Sequence, residues 1–359
     1  MNAPLISLSI ATRHDRERIS RLRHAVYARE LGQHSLNRER SLTDSLDLIN
    51  HYLVAKSGNI LPGAGSSDLI FRAFRQWLTK DSRVLIFDPT YGEYLHVLEH
   101  VIGCQISRLK LDAHANYDVD LLALRKELST DFDLIVLVNP NSPTGRHVSA
   151  SALEAILSTA PPSTRIWIDE TYLDYVSKVE SLEQFAAQSE NVLVCKSMSK
   201  VYALSGARAA YLCAGPHQLE ALRAITPPWV IGLPSQLAAV RALENQAYYD
   251  EQYQQTHHLR RELAAGLIQL GWLPIPGVAN FILCRLPDHG PSPSEIIETC
   301  RIMNLFLRDP GSMGTSPDQR LIRIAVKDAP TNARMLQILK VAISSLDMPN
   351  WFLNDKISQ

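Results

Sequence analysis

Cysteine is scarce and never clustered: the 359 residues hold five, at Cys104, Cys195, Cys213, Cys284 and Cys300, and none forms a Cys-x-x-Cys pair. That spacing excludes a disulfide framework, and thiols set singly within apolar runs read as small core hydrophobes kept reduced in the cytosol. Long hydrophobic runs are missing too. No stretch of about 18 apolar residues occurs, and the early run Pro4 to Ile10 is interrupted by Arg13, His14 and Asp15 too soon for a secretory signal. A soluble, cytoplasmic protein is expected. Neither sign of charge dominates, since the formal net charge is −1. This argues against a general attraction to nucleic acid or to an anionic membrane, so the expected partners are small molecules recognised locally. Internal repeats, low-complexity segments and metal-ligand clusters are also lacking, and the twelve histidines are scattered. What remains is an ordinary globular composition, 46% hydrophobic and 20% charged, with enough length for two domains.

The most informative stretch is 195–211, where the apolar run ending at Val194 gives way to Ser197-Met-Ser199-Lys200 and, eight residues later, Arg208. Two hydroxyls, an amine and a guanidinium are thus delivered to one region beyond a β-prone segment. A phosphorylated aldehyde needs such a set: an amine to condense with the carbonyl, hydroxyl donors and a forked cation for the dianion. A Ser-Lys pair alone equally suits a solvated loop. A second β-prone run, 164–168, delivers Asp169 to its end and Tyr172 three residues later. A partly buried carboxylate there would keep a pyridine nitrogen protonated, although Asp169 alone would also serve as a helix N-cap. A third run ends at Val138 in Asn139-Pro-Asn141-Ser142-Pro-Thr-Gly145, a turn dense in Pro, Asn and Gly.

Together, in this order and spacing, these motifs resemble those of fold-type I pyridoxal-phosphate (PLP) aminotransferases, in the histidinol-phosphate aminotransferase branch. The resemblance covers residues 59–346. It implies Lys200 as the Schiff-base lysine, Asp169 as the partner of the ring nitrogen and Tyr172 as a donor to the ring's 3-oxygen, all three catalytic. Gly63-Ala64-Gly65-Ser66 resembles the family's phosphate cup, with Ala64, Gly65 and Ser66 leading into a helix whose N-terminus suits an anion. Ser197, Ser199 and Arg208 are implied to complete the phosphate site, and Tyr91, in Asp88-Pro-Thr-Tyr91, to stack on the ring. One departure stands out: the family's asparagine before Pro-Thr-Gly is Ser142 here, so its contact passes to a shorter hydroxyl or to Asn141. Arg323, in Leu321-Ile-Arg323-Ile-Ala-Val326, matches the arginine that binds a substrate carboxylate in a bidentate fork, which lysine would not reproduce. Trp229, after Pro227-Pro228, is expected to line the substrate cleft. No metal is expected.

Alternation of β-prone runs (83–87, 104–109, 133–138, 165–168, 191–195, 209–214) with helical stretches predicts an α/β fold with a mainly parallel sheet. The resemblance makes it seven-stranded, in a large PLP-binding domain at 59–245, followed by a smaller α+β C-terminal domain at 246–359 with strands at 279–283, 305–309 and 321–326. Residues 235–268 read as helix interrupted near Asn245 and His257. Residues 1–58 form an atypical N-terminal segment. Parts of it (10–14, 21–30, Asp47, 51–56) are similar to the start of acyl-homoserine-lactone-synthase-like N-acyltransferases, but the acyl-CoA loop of that fold is absent. A plain arm of one helix and one strand fits equally. The expected activity is transfer of an amino group between an amino acid and a 2-oxo acid by a homodimer. The alternatives are a decarboxylase or lyase of the threonine-phosphate decarboxylase type, and a PLP-binding protein of little activity, because the partner's phosphate-binding tyrosine has no clear counterpart beyond Tyr52.

Overall fold

Burial alternates along strand β2 (Arg83–Asp88): Val84 and Ile86 enter one apolar cluster, Leu85 and Phe87 another. The same parity holds in β4 (Leu134–Val138), where Leu134, Val136 and Val138 face one way and Ile135 and Leu137 the other. Successive side chains of a strand point to opposite faces, so a run that is apolar at every position must be covered on both sides. The computed structural model, which describes residues 57–315 and 320–346, shows that sandwich. Expectations for residues 1–56, the acyltransferase-like pattern and Tyr52 among them, fall outside the described residues.

The main sheet has seven strands. The others are β1 (Ile60–Gly63), β3 (Gln105–Lys110), β5 (Arg165–Asp169), β6 (Val192–Ser197) and β7 (Ala210–Cys213), and the order is β1-β7-β6-β5-β4-β2-β3. Only β7 runs against the rest. β1 was not foreseen as a strand because Pro62 sits inside it. Its place at the sheet edge accommodates a residue with no N–H to donate. Helix α1 (Ser66–Trp77) buries Leu69, Ile70, Ala73 and Phe74 against one face.

A second sheet of three antiparallel strands, β8 (Leu273–Pro274), β9 (Phe281–Arg285) and β10 (Leu321–Ala325), has its own apolar cluster. Its two bracketing helices run Gln246–Gln269 and Ala329–Leu346. The strand expected at 305–309 does not form. Arg308 makes a single bridge with Arg323, and the chain then turns away at Pro310-Gly311 while Phe306 stays exposed. The helical stretch breaks at Asn245, as expected, but not at His257. There the polar side chain serves a contact, its Nε2 lying 2.6 Å from the carbonyl oxygen of Tyr175. The cluster on one face of the main sheet continues into Phe281, Leu283 and Leu321, joining the two sheets through apolar packing.

Trp167, at the centre of β5, is fully buried, and its Nε1 donates to the hydroxyl of Tyr94 at 2.9 Å. Trp167→Ala is expected to lower the stability of the apoprotein by about 3–5 kcal/mol, measured as a shift in the urea unfolding midpoint.

Candidate active site

The carboxyl ends of the parallel strands open on one cleft, the position at which open α/β sheets bind ligands. At one end lies the start of α1. Its cap, Gly65, has φ +86 and makes no side-chain capping bond, so the first amides of the helix have no partner within it and carry partial positive charge. Ser66 and Ser67 line the cleft here, with Ser197, Ser199, Ser205 and Arg208 arriving from the other side. The guanidinium of Arg208 packs on Gly65 so closely that a Cβ at that position would fall on Nη2 and lie 2.7 Å from Cζ. Asp68 would repel an anion at this point, but Arg72 neutralises it (Nε to Oδ1 3.0 Å, Nη2 to Oδ2 2.6 Å). The backbone N–H of Ala64 also donates to Asp68, at 2.9 Å. Ala64, expected in the phosphate cup, therefore has no amide left to offer there.

Lys200 projects from the four-residue helical turn Met198–Val201, whose start is capped by Ser197 Oγ accepting from the N–H of Ser199 at 3.3 Å. Partial burial lowers the pKa of its amine, and Arg323, Arg208 and Lys327 lower it further. A larger fraction is therefore unprotonated and able to attack a carbonyl than for a lysine in water.

Asp169, at the end of β5, is 3% exposed. Thr171 donates to its Oδ1 through both N–H (2.9 Å) and Oγ1 (2.6 Å), and the Tyr94 hydroxyl donates to Oδ2 at 2.7 Å. Burial raises the pKa of this carboxyl, against the pull of those donors. The next helical turn, Leu173–Tyr175, is capped at Tyr172 and not at Asp169. Tyr91 stands beside it in the cleft wall, its ring edge-on to Tyr94 at 6.0 Å. Burial, then Glu93, pushes its phenol up.

At the opposite end Tyr172, 7% exposed, packs edge-on against Phe281 at 5.2 Å. Arg323 lies over the same Phe281 ring at 4.8 Å, and its Nη1 donates to Ser142 Oγ at 3.0 Å. Ser142 thus occupies the cleft wall and holds the arginine. Asn141 does not share that wall: its Nδ2 donates inward to the carbonyl oxygen of Pro89 at 3.0 Å. Trp229 is 53% exposed and also stands apart from the wall. Of the residues not foreseen, Thr171 had a local signal, since Asp-x-Thr favours a side-chain turn, whereas Tyr94, 75 positions from Asp169, had none. Among the described residues no group of three or more His, Cys, Asp or Glu could hold a metal ion.

Gly65→Ala would impose a left-handed backbone on a residue with a Cβ and displace Arg208. The expected result is a loss of PLP affinity on the order of tenfold, about 1.4 kcal/mol, read by fluorescence titration, with an unchanged far-ultraviolet circular dichroism spectrum.

Residues 38–340 match the family described as aminotransferase class I and II. A histidinol-phosphate aminotransferase from Staphylococcus aureus (strain MSSA476) is 30% identical over 297 residues, spanning 81% of this chain and 78% of its own. Two solved structures share the fold. One is histidinol-phosphate aminotransferase from Sinorhizobium meliloti in complex with pyridoxal-5'-phosphate (TM-score 0.75, 23% identity, 91% of this chain and 87% of that one). The other is L-threonine-O-3-phosphate decarboxylase from Porphyromonas gingivalis (TM-score 0.70, 19% identity, 83% and 87%). With most of its length inside the family match, and its cleft at the carboxyl ends of a seven-stranded sheet, this chain belongs to the class I and II aminotransferases.

Proposed function

We propose that the protein moves an amino group between an amine donor and a 2-oxo acid, with Lys200 as the covalent attachment point of its cofactor and as the acid–base group of the reaction. The cofactor of this aminotransferase is PLP. The observation that carries the proposal is that Lys200, Asp169 and the open N-terminus of α1 with Arg208 share one cleft. A fit to PLP requires those three features: an amine, an acid for the ring nitrogen, and donors for a phosphate. When bound, PLP supplies an electron sink that acidifies the substrate's Cα–H bond.

The chain's own residues do the rest. Arg208, the α1 amides and the surrounding serines would hold the phosphate. Asp169, whose carboxyl burial pushes up against the pull of Thr171 and Tyr94, would hold the ring nitrogen and stabilise a proton there. Tyr172 and Ser142 would offer hydroxyls to the 3-oxygen. Lys200, in the cleft wall, would accept a proton from the substrate's Cα and return one. Burial and the neighbouring cations lower its pKa, so a larger share of the amine is free to accept a proton than in water.

Arg323 receives the substrate's acidic end. Arg308 is paired with Arg323 through reciprocal backbone bonds of 2.9 and 3.2 Å, and directly paired residues project to the same face of a sheet. Two guanidiniums at one register favour a donor ending in a carboxylate or phosphate, of the kind named for the Staphylococcus relative. Near-neutral net charge and unpaired cysteines support a cytoplasmic enzyme, and the family supports a homodimer. Decarboxylation at Cα would use the same residues. The solved decarboxylase, at 19% identity, shares the fold alone.

Borohydride reduction of the PLP-loaded protein, followed by peptide mapping, is expected to find the label on Lys200, and Lys200→Ala to lose turnover by at least about a thousandfold, or some 4 kcal/mol of barrier. Retained turnover in that variant, or release of carbon dioxide in place of a 2-oxo acid, would defeat the assignment.

A further inference from the structure

Strands β5 and β6 lie side by side, and their ends carry Asp169 and the turn bearing Lys200. A second polar cluster adjoins both, and the chemistry above does not use it. Lys196, on β6 one residue before Ser197, is 8% exposed. Its Nζ lies 3.2 Å from Glu170, 3.2 Å from Asp174 and 3.9 Å from Glu183, all three of them buried. Asp174 has a second partner: the hydroxyl of Tyr202 donates to its Oδ2 at 3.0 Å. One carboxylate therefore holds a residue four positions before Lys200 and another two positions after it.

Stability alone does not account for this arrangement. Removing such charges from water costs at least as much as their pairing returns, and apolar residues of similar volume serve a core as well or better. What fixed ionic hydrogen bonds supply is a defined geometry. The turn Met198–Val201 has only four residues, too short to hold itself by internal helical bonds. Asp174 belongs to the short turn Leu173–Tyr175, five residues beyond Asp169. Another contact joins the same two turns, the Tyr175 hydroxyl meeting the carbonyl oxygen of Lys200 at 3.5 Å.

We propose that Asp174, anchored by Lys196, is a positioning residue for Lys200, clamping both ends of the 198–201 turn against the turn that follows Asp169. The amine and the ring-nitrogen acid then keep one separation while Lys200 changes from attachment point to base. This rests on the role assigned to Lys200 above. Burial works against the Asp174 carboxylate, but Lys196, Lys178 and the Tyr202 hydroxyl outweigh it and hold its pKa below the usual carboxylate range. Tyr253 also acts on it, and Glu183 and Glu170 face the Lys196 amine that it shares. The balance favours the charged form of the clamp.

The test compares PLP-loaded wild type, Asp174→Asn and Tyr202→Phe. Both variants are expected to retain PLP on Lys200 by borohydride trapping and to keep KM nearly unchanged. Asp174→Asn is expected to lower kcat by roughly 10–100-fold, the scale of a misplaced catalytic group. It should also move the pH midpoint of the visible band of the lysine-bound cofactor. A purely structural role would reduce only the folded fraction and leave that midpoint in place. Should Asp174→Asn not fold, Tyr202→Phe, which removes one hydroxyl, carries the test with a smaller drop in kcat and the same spectral shift. Label on Lys200 in the wild type with kcat and midpoint unchanged in the folded variants overturns the positioning role alone. Label elsewhere in the wild type overturns the role of Lys200 and this inference with it.

Discussion

A carboxylate held almost entirely out of water at the end of a parallel strand is the constraint to which the site conforms. Left alone, Asp169 would take up a proton, because burial disfavours its charged form. Thr171 answers with two donors and Tyr94 with one, and Tyr94 is itself held by Trp167 from within the sheet. That chain of donors runs from the middle of β5 to the cleft. It ties the acid to the core, and through Tyr94 it places the segment that carries Tyr91. An acid supported in this way can hold a cation on its open side without moving, which a solvated carboxylate cannot do.

The cleft balances that acid with an excess of cations. Arg208, Arg323 and Lys327 all act on Lys200, and the first amides of α1 add their partial charges. The arrangement makes sense only if anions arrive from outside: a phosphate at the α1 end, and a carboxylate or phosphate at the Arg323 end. Between them stands an amine whose unprotonated fraction burial and its cationic neighbours raise. Fold and chemistry meet at this point, since the carboxyl ends of β1, β5 and β6 and the amino end of the antiparallel β7 bring residues 66, 169, 200 and 208 into one space.

Much of this could be read from the chain because the groups that contact a cofactor cluster in short motifs. Ser197, Ser199, Lys200 and Arg208 lie within twelve residues, and a strand followed by a turn carries them together. The α/β class followed from apolar runs separated by helical stretches, and the seven-stranded sheet bears it out. Contacts that depend on tertiary approach were not legible. Tyr94 and Asp169 are far apart in sequence, as are Arg323 and Ser142, and Asp174 reaches Lys196 only after β5 and β6 pair. Proximity in sequence also misled: Asn141 lies next to Ser142 yet points inward to Pro89. The expected strand at 305–309 had suitable residues, but only Arg308 found a pairing partner.

Ala64 and Trp229 show the limit from another side. A small residue beside glycines suggested a free amide, but Asp68 had already taken it. Trp229, after two prolines and expected in the cleft wall, is 53% exposed with φ +57. Motif position gave the type of each residue without its direction.

The protonation state of the cofactor's ring nitrogen, read by nuclear magnetic resonance after loading the protein with PLP isotopically labelled at that atom, tests most directly whether Asp169 and Lys200 embrace one pyridine ring. A protonated nitrogen in the wild type that becomes neutral in Asp169→Ala is the predicted result. A nitrogen that is neutral in the wild type, or insensitive to that substitution, would contradict it.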